Sequence, residues 1–325
     1  MASGKPADMT TEPTLQDIRQ AAERIKPYIH HTPVLTSATL DGLCGATLFF
    51  KCENLQKTGA FKIRGATNAV FSLSDEEAGR GVATHSSGNH AAALAQAARW
   101  RGIRSYVVMP ENAPTIKRIA VAGYGAEIFP CAPTLRAREE TLAQVVARTG
   151  AAFIHPYNDY RVITGQATAA LELCEDVPDL DVVIAPVGGG GLLSGTALAV
   201  AALSPRTRVI GAEPERASDA WQSLQARRII PLDHTDTIAD GLRTSLGELT
   251  FPIIQRHVSA ITLVSEEAIA TATRTIWERM KIIVEPSGAV PLAALLTHSL
   301  DAAGCRIGII LSGGNVDLDR LPWSQ

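Results

Sequence analysis

Short apolar runs alternate with longer amphipathic stretches along almost the whole chain. Several runs are continuously apolar rather than alternating, among them DVVIAPV (181–187) and IGIILSGG (307–314). Such runs are typical of parallel strands that are buried on both faces of a sheet. The remaining predicted strands lie at 46–53, 81–87, 105–110, 126–131, 151–157, 208–215 and 260–266.

Helical patterns fill the segments between these runs. The first helix begins at Thr14, and Asp17 follows three residues later, as in a capping box. Two further helices end at Gly102 and Gly150, a residue type that commonly terminates helices. Others are predicted at 163–176, 192–203 and 265–280. This alternation predicts an α/β fold of open, mostly parallel sheets with flanking helices.

The composition narrows the possible functions. A chain of 325 residues is long enough for about two domains. An apolar fraction of 46% supports a buried core, whereas a net charge of −3 gives no electrostatic attraction for nucleic acid or an acidic membrane surface. Aromatic residues make up 5% of the chain, which argues weakly against a platform for stacking bases.

The cysteines, the amino terminus and the lengths of the apolar runs bear on where in the cell the protein is expected. The cysteines are Cys44, Cys52, Cys131, Cys174 and Cys305. They are scattered and form no CxxC, which favours a reducing compartment and argues against a disulfide framework or a cysteine zinc site. The amino terminus is polar, and no apolar run reaches the ~18 residues of a membrane span. We expect a soluble, cytoplasmic enzyme with no membrane or nucleic-acid partner.

The segment KTGAFKIRGA (57–66) places three basic residues beside two glycines, just before a helix. One interpretation is a solvated cationic turn. The other is a nucleophilic lysine, because Lys62 follows Phe61 at a helix start. There the positive end of the helix and nearby Arg64 would lower the pKa of the amine, and a deprotonated amine attacks carbonyl groups.

The segment THSSGNH (84–90) opens an alanine-rich helix. Its serines and asparagine are typical helix caps. The same start also presents unpaired N–H groups to an anion, together with hydroxyls and an amide that hydrogen-bond a ligand. The residues alone leave these two interpretations open.

Four consecutive glycines, in VGGGGLLSG (187–195), join a buried strand to a helix. So many glycines are costly in backbone entropy for a simple turn, and free N–H groups beside a helix start indicate a phosphate site. No Gly-Lys-Ser/Thr follows, so this is not a P-loop. Glu213 lies at the distance expected for the acidic residue of a dinucleotide-binding fingerprint. The third glycine of that fingerprint is replaced by Leu193 or Ser194, depending on the register. A nicotinamide dinucleotide remains an alternative.

Two further segments follow predicted strands. LSGGN (311–315) is either an ordinary turn or a place where Ser312 offers a neutral hydroxyl to a ligand. GAEPERASD (211–219) carries several carboxylates, which would suit a hard cation such as Mg²⁺ or form a solvated acidic turn.

These segments, in this order, carry a family resemblance. The motifs are KTGAFKIRGA, SSGNHAAALA, PVGGGGLLSG, GAEPE, VEPSGAV and SGGN. Over roughly residues 14–316 the chain resembles the serine/threonine dehydratase and serine racemase family of pyridoxal 5′-phosphate (PLP) enzymes. The resemblance implies fold type II, the tryptophan-synthase-β-like fold, with PLP between a large and a small domain. It further implies a large domain of residues 1–75 and 159–325, with a small domain of residues 76–158 inserted between them.

The resemblance also implies a cofactor site. Its members are Phe61, Lys62, Asn89, Gly188, Gly189, Gly190, Gly191 and Ser312. In the family pattern Lys62 attaches covalently to PLP, Phe61 packs beside its ring and Asn89 bonds its 3-hydroxyl group. The four glycines hold the phosphate. Ser312 faces the ring nitrogen and, being neutral, leaves that nitrogen unprotonated.

Substrate and cation sites are implied in the same way. Ser86, Ser87, Gly88 and His90 match the loop that holds the substrate carboxylate. Ser87 also matches the serine that works opposite the lysine in racemising members, so the implied catalytic residues are Lys62 and Ser87. Tyr157 stands near the substrate, where many relatives carry Phe or Asn. Glu213, the carbonyl of Ala217 and Asp219 match the family's divalent-cation site.

The resemblance therefore predicts an ammonia-lyase, working as a homodimer, that converts a 3-hydroxy-α-amino acid to a 2-oxo acid and ammonia. Serine, threonine, phenylserine and hydroxyaspartate are candidate substrates, and the residues around His90 and Arg243 bear on that choice. A serine racemase is the main alternative, because Lys62 and Ser87 are both present. A nucleotide-dependent dehydrogenase is the more distant one.

Overall fold

Strands and helices alternate through the part of the chain that the computed structural model describes, residues 11–86, 88–113, 115–232, 235–319 and 321–323. The strands are β1 (Val34–Leu35), β2 (Thr47–Cys52), β3 (Val82–His85), β4 (Ser105–Pro110), β5 (Glu127–Cys131), β6 (Ala152–Phe153), β7 (Val182–Pro186), β8 (Arg208–Pro214), β9 (Ala260–Val264) and β10 (Arg306–Leu311). The α-helices are α1 (Leu15–Ile25), α2 (Ala38–Cys44), α3 (Lys62–Ser72), α4 (Asp75–Arg80), α5 (Asn89–Arg101), α6 (Thr115–Gly123), α7 (Leu135–Thr149), α8 (Tyr160–Asp176), α9 (Gly191–Leu203), α10 (Asp219–Ala226), α11 (Thr250–His257), α12 (Glu266–Met280) and α13 (Pro286–Leu296).

Two compact units divide the chain. The first contains residues up to Ile29 and Lys62–Gly165, and the second contains His30–Phe61 and the residues from Gln166 onward. One boundary therefore falls between Phe61 and Lys62, within the basic segment. The domain bounds implied by the resemblance, 1–75, 76–158 and 159–325, stay a prediction.

The first unit is built on a parallel sheet with the strand order β5-β4-β3-β6. Its α5 presents buried alanines, including Ala93 and Ala97, to the same core as Ile63 and Val70 of α3. Small side chains allow two helices to approach closely, as the alanine-rich sequence suggests. The two helices are thereby fixed against each other, and Lys62 is the first residue of α3.

The second unit is built on a six-stranded sheet with the order β1-β2-β10-β7-β8-β9. Only the β1–β2 pair is antiparallel among the described strands of this sheet. The helix α13 is buried along its length and carries Pro286 in its first turn, where the missing N–H costs no intrahelical bond. The prediction of two mainly parallel sheets with flanking helices is confirmed.

Most predicted elements are present, one strand is shorter than predicted, and several observed elements were not predicted. The Thr14–Asp17 capping box forms, and the two helices predicted to stop at Gly102 and Gly150 do so, with both glycines left-handed. The strand predicted at 151–157 is wrong beyond Phe153, because the chain turns at His155. The elements that were not predicted are the short β1 and the helices α2, α4, α6, α10, α11 and α13.

Parallel strands bring several of the singled-out segments to the carboxyl edges of the sheets, where ligands bind in open α/β folds. In the second unit β2, β10, β7 and β8 are adjacent in that order. Ser312 follows β10, the four glycines follow β7, and Glu213 lies near the end of β8. In the first unit β3 and β6 are neighbours, so Ser86 and His155 follow adjacent strands. Among the described residues, no helix combines the length and apolar character that crossing a membrane requires.

Candidate active site

The backbone that precedes Lys62 is paired with the segment that follows β10. The Phe61 N–H donates to the Ser312 carbonyl at 3.0 Å, and the Gly314 N–H donates to the Gly59 carbonyl at 2.8 Å. Between them, Ala60 and Gly313 form an antiparallel bridge. This pairing ties the end of the basic segment to the carboxyl edge of the sheet, within the second unit.

A tight turn leads into this pairing. Thr58 and Gly59 both have positive φ, at 60° and 73°. The Asn315 side chain closes the turn, because its Nδ2 donates to the Thr58 carbonyl at 2.7 Å. A Cβ added at Gly59 would lie 2.3 Å from Asn315 Oδ1, so the turn requires glycine there for both conformation and space.

Lys62 begins α3, as predicted, and its side chain is partly buried. Its Nζ donates to the Pro156 carbonyl at 2.9 Å, within the first unit. The acceptor in this contact is a neutral carbonyl group. A lysine in such a position is a candidate nucleophile and proton acceptor.

The glycine loop forms a cradle from which side chains are excluded. Gly190 caps α9 with a φ of 89° and no side-chain cap. A Cβ at Gly188 would lie 2.9 Å from Leu242 Cα, and one at Gly190 would lie 2.8 Å from Thr250 Oγ1. Thr250 supports the loop from behind, donating from Oγ1 to the Gly189 carbonyl at 2.9 Å. The first backbone amides of a helix have no partner within the helix, and here they lie among buried glycines, an arrangement that fits a phosphate group.

Ser312 is only 3% exposed and sits at the end of β10, the strand next to β7. It and the glycine loop therefore follow adjacent parallel strands of one sheet. The neighbouring Gly313 is closely packed, since a Cβ there would lie 2.6 Å from Glu285 Oε1. Ser312 supplies a neutral hydroxyl group at this edge.

The start of α5 presents backbone donors in the first unit. Its cap is Gly88, whose own N–H donates to Ser86 Oγ at 3.3 Å, and no side chain caps the helix. The amino end of a helix carries unsatisfied N–H groups and a partial positive charge, which suits a carboxylate. Asn89 is the first helical residue. Ser87 lies outside the described residues.

The His90 side chain points into the protein rather than offering a second donor. Its Nε2 contacts the Ile154 carbonyl at 3.3 Å, and a carbonyl only accepts, so Nε2 carries the hydrogen. Burial, with the nearby Lys62 charge, holds the pKa of His90 well below its usual range. A neutral ring has one N–H, which is already used. Any carboxylate contact by this residue therefore comes from its backbone.

Aromatic side chains surround the end of β6. The His155 ring meets the Tyr157 ring edge-on at 4.5 Å and lies 6.0 Å from the His85 ring. Burial lowers the pKa of His85 and of His155 to about 4, aided by Arg138 for His85 and by His85 and Lys62 for His155. These imidazoles are neutral at pH 7. Sequence reasoning placed Tyr157 in the site but missed His155, whose role depends on contacts that no motif encodes.

Two residues of the second unit, Arg243 and Thr250, have defined partners, and only Arg243 was singled out from the sequence. The Arg243 guanidinium donates to the Thr237 carbonyl from Nε at 2.9 Å and also from Nη2. It orders its own loop, in the second unit. Thr250, which supports the glycine loop, lies 61 positions beyond Gly189 and carried no sequence signal.

Glu213 and Asp219 form a buried pair of carboxylates. The Glu213 oxygens accept the N–H groups of Ala220 and Trp221, each at 2.8 Å. Asp219 accepts the Leu246 N–H on Oδ2, while its Oδ1 is buried with no hydrogen-bond partner in the structure. Burial raises the pKa of Asp219 to about 7, and burial with the Asp219 charge raises the pKa of Glu213 well above its usual range.

This arrangement fits a divalent cation. Burying two like charges is costly, and a cation bound by both carboxylates would offset that cost. Among the described residues no cluster of three or more His, Cys, Asp or Glu side chains could hold a metal. The two carboxylates would therefore need backbone oxygens such as the Ala217 carbonyl to complete the ligand set. We propose that Glu213, Ala217 and Asp219 bind Mg²⁺ or a similar hard cation.

The comparisons with known proteins agree with this geometry. Residues 25–313 match the family described as "Pyridoxal-phosphate dependent enzyme". The chain belongs to this family. It is 54% identical to the beta-hydroxyaspartate dehydratase of Paracoccus denitrificans, over 96% of this chain and 99% of that protein. It is 51% identical to the serine racemase of Dictyostelium discoideum, over 95% of this chain and 96% of that protein.

A solved structure, that of maize serine racemase, has the same fold. It superposes with a TM-score of 0.93 at 48% identity and covers 95% of each chain. These findings confirm the PLP enzyme family and fold type II implied by the resemblance. They remove the ground for the dinucleotide alternative, because the glycine loop needs no nucleotide to explain it.

The residues of this PLP enzyme fit its cofactor. The glycine cradle suits the phosphate, Lys62 suits the aldehyde, and Ser312 supplies a neutral group at the sheet edge that also carries the cradle. The glycine cradle and Ser312 belong to the second unit, and Lys62 belongs to the first. Their individual roles toward PLP, with those of Phe61 and Asn89, stay predictions.

The cradle can be tested by adding one methyl group. We predict that Gly190→Ala weakens binding of PLP to the apoprotein on the order of tenfold, since a side chain at this left-handed position meets Thr250. Gly304→Ala is the matched control, because Gly304 has a φ of 72° but nothing within 4 Å. Fluorescence titration measures both affinities. Equal affinity for the two variants would contradict a phosphate cradle at Gly190.

The cation site predicts a metal-dependent stability. Mg²⁺ at a hundred times its Kd should stabilise the protein by about 2.7 kcal/mol, measured by thermal unfolding. Asp219→Asn keeps the side-chain shape but removes one charge, and should abolish this gain. Asp236→Asn, at a pair exposed on the surface, should retain it. A gain that survives Asp219→Asn would argue against this site.

Proposed function

We propose that the protein is a PLP-dependent ammonia-lyase that converts a 3-hydroxy-α-amino acid, with 3-hydroxyaspartate as the first substrate to test, to a 2-oxo acid and ammonia. The observation that carries the proposal is the placement of Lys62. Its backbone follows a segment fixed to the end of β10, and its amine is held at 2.9 Å by the Pro156 carbonyl. The dehydratase of Paracoccus denitrificans supports the choice of substrate.

The cofactor would be held by residues that the sequence singled out. Gly188, Gly189, Gly190 and Gly191 would bind the phosphate through backbone N–H groups, and Lys62 would bind covalently. Phe61 would pack beside the ring, Asn89 would bond its 3-hydroxyl group, and Ser312 would face its nitrogen. When bound, PLP supplies an aldehyde that reacts with amines and a ring that withdraws electrons from the α-carbon of the substrate.

Lys62 is the base that we assign to the α-proton. A general base works best when its pKa lies near the operating pH. The pKa of His85 and of His155 is about 4, so these neighbouring imidazoles are weak bases at pH 7. His90 is also neutral, and its N–H is occupied by Ile154. Lys62 Nζ is left as the group with the chemistry to take and return a proton.

The elimination balances without an external oxidant or reductant. The α-carbon gives its proton to Lys62 Nζ, and the β-carbon loses its hydroxyl group. That group takes up one proton, which balances the proton removed by Lys62, and leaves as water. The enamine that results takes up water and yields the 2-oxo acid and ammonia. A neutral Ser312 hydroxyl beside the ring nitrogen would leave the ring a weaker electron sink, which suits this elimination.

The substrate carboxylate would bind at the start of α5. Ser86, Ser87, Gly88 and His90 would provide its donors, consistent with the uncapped helix start. His90 would use its backbone N–H group and Ser86 its hydroxyl group, because the Ser86 N–H donates to the Val108 carbonyl at 3.2 Å. Tyr157, whose ring packs against His155, would border the side-chain pocket. A homodimer and a cytoplasmic location remain predictions.

The second candidate function is serine racemisation. A serine racemase that is 51% identical supports it, as does the presence of Ser87 as a second base. Racemisation would require Lys62 and Ser87 to act on opposite faces of the α-carbon. Elimination requires only Lys62.

We predict that the purified holoenzyme absorbs visible light through its bound PLP and releases ammonia from 3-hydroxyaspartate faster than from serine, threonine or phenylserine. Lys62→Ala should lose both the absorbance and the activity, because it lacks the attaching and proton-transferring amine. Lys57→Ala, in the same segment, is the control. Release of ammonia from none of these amino acids would contradict the proposal.

Chiral analysis separates the two candidate functions. With L-serine as substrate, we expect 2-oxo acid and no accumulation of D-serine. Ser87→Ala should leave the rate of ammonia release from 3-hydroxyaspartate within about threefold, since elimination needs one base. Accumulation of D-serine faster than 2-oxo acid would favour the racemase.

A further inference from the structure

We propose that His155 is a positioning residue for Lys62: its neutral ring fixes the peptide group whose carbonyl receives the Lys62 amine. The inference rests on the proposed function only in taking Lys62 as the reactive amine. The proposed influence of His155 on Lys62 passes through the Pro156–Tyr157 peptide.

The first step is the tautomer of His155. Its Nδ1 receives the backbone N–H of Tyr157 at 3.2 Å and that of Asn158 at 2.8 Å. Both partners are donors, so Nδ1 must present a lone pair and cannot carry a hydrogen. The neutral ring therefore carries its hydrogen on Nε2.

The second step is the rigidity of one peptide group. The Tyr157 N–H and the Pro156 carbonyl belong to the same planar unit and point in opposite directions in a trans peptide. The N–H group of this peptide donates to His155 Nδ1 at 3.2 Å, and its carbonyl group accepts from Lys62 Nζ at 2.9 Å. Rotating the peptide to break one contact would break the other. The orientation of the His155 ring is thus transmitted to the lysine amine.

The third step is that the ring cannot easily turn. Its closest ring neighbours, Tyr157 and Phe153, lie at centroid distances of 4.5 and 5.6 Å, both with steep interplanar angles. The lowered pKa of His155 keeps the ring neutral, so the lone pair on Nδ1 is retained at pH 7. Pro156 has no N–H of its own, and the turn relies on the side chain for its hydrogen bonds.

A shorter acceptor can replace the ring. Asparagine accepts backbone N–H groups two and three residues on, in an Asx turn, whereas leucine has no acceptor. His155→Asn should therefore preserve the peptide orientation, and His155→Leu should lose it. His85→Leu is the matched control, because it removes a neighbouring imidazole of similar pKa without touching the turn.

The test compares the rate at which Lys62 attaches to PLP, which depends on the orientation of the amine, with the affinity for a phosphate ligand, which depends on an intact site. PLP is removed from the full-length protein and added back, and the rate of covalent attachment is followed by the visible absorbance. Binding of pyridoxine 5′-phosphate, which lacks the aldehyde, is measured in parallel. We expect His155→Leu to attach PLP on the order of tenfold more slowly, with unchanged affinity for pyridoxine 5′-phosphate, because small misplacements of reacting groups are costly. His155→Asn and His85→Leu should stay within about threefold of the unmodified protein.

Nitrogen NMR of the unmodified protein, with labelled histidine, tests the tautomer without any variant. We expect the His155 ring to carry its hydrogen on Nε2, and a hydrogen on Nδ1 would overturn the proposal. Attachment by His155→Leu at the unmodified rate would also overturn it, as would His155→Asn being as slow as His155→Leu. An equal loss of pyridoxine 5′-phosphate binding would reduce His155 to a structural role. Failure to release ammonia from any substrate would instead refute the proposed function and leave this result standing.

Discussion

The backbone pairing of residues 59–61 with 312–314 is the constraint on which the site depends. It joins segments about 250 positions apart in the chain, so it forms only when β2 and β10 are adjacent in the sheet. Glycines at 59, 313 and 314 allow the two backbones to approach without side chains between them. The pairing brings Ser312 next to the backbone that precedes Lys62. Each role proposed for Lys62 requires that this backbone is held in place.

Buried, neutral imidazoles share the first unit with the reactive lysine. His85, His90 and His155 are uncharged because they are buried, and one acceptor of the Lys62 amine is the Pro156 carbonyl. Buried carboxylates lie instead at the end of β8, where their raised pKa values indicate an unfavourable charge pair that a cation would relieve. Lys62 belongs to the first unit, and Glu213 and Asp219 belong to the second.

Many helices and strands, and several of their ends, could be predicted from the sequence, because hydrophobic periodicity and helix caps are local features. The capping box at Thr14, the glycine stops and the strand–glycine–helix junction could all be read directly. Contacts between distant segments could not. The hydroxyl of Thr250 behind the glycine loop depends on how α11 packs, and the carbonyl of Pro156 carries no side-chain signal. The strand predicted at 151–157 was too long, because the His155 side chain accepts the backbone N–H groups of Tyr157 and Asn158 in place of a neighbouring strand.

The central claim is that Lys62 is the residue that carries PLP. Reduction of the purified holoenzyme with borohydride makes the attachment permanent, and peptide mass spectrometry then locates it. We predict a pyridoxyl label on the peptide that contains Lys62 and on that residue within it. A label on Lys51, Lys57 or any other lysine, or no label on a protein that has bound PLP, would contradict it.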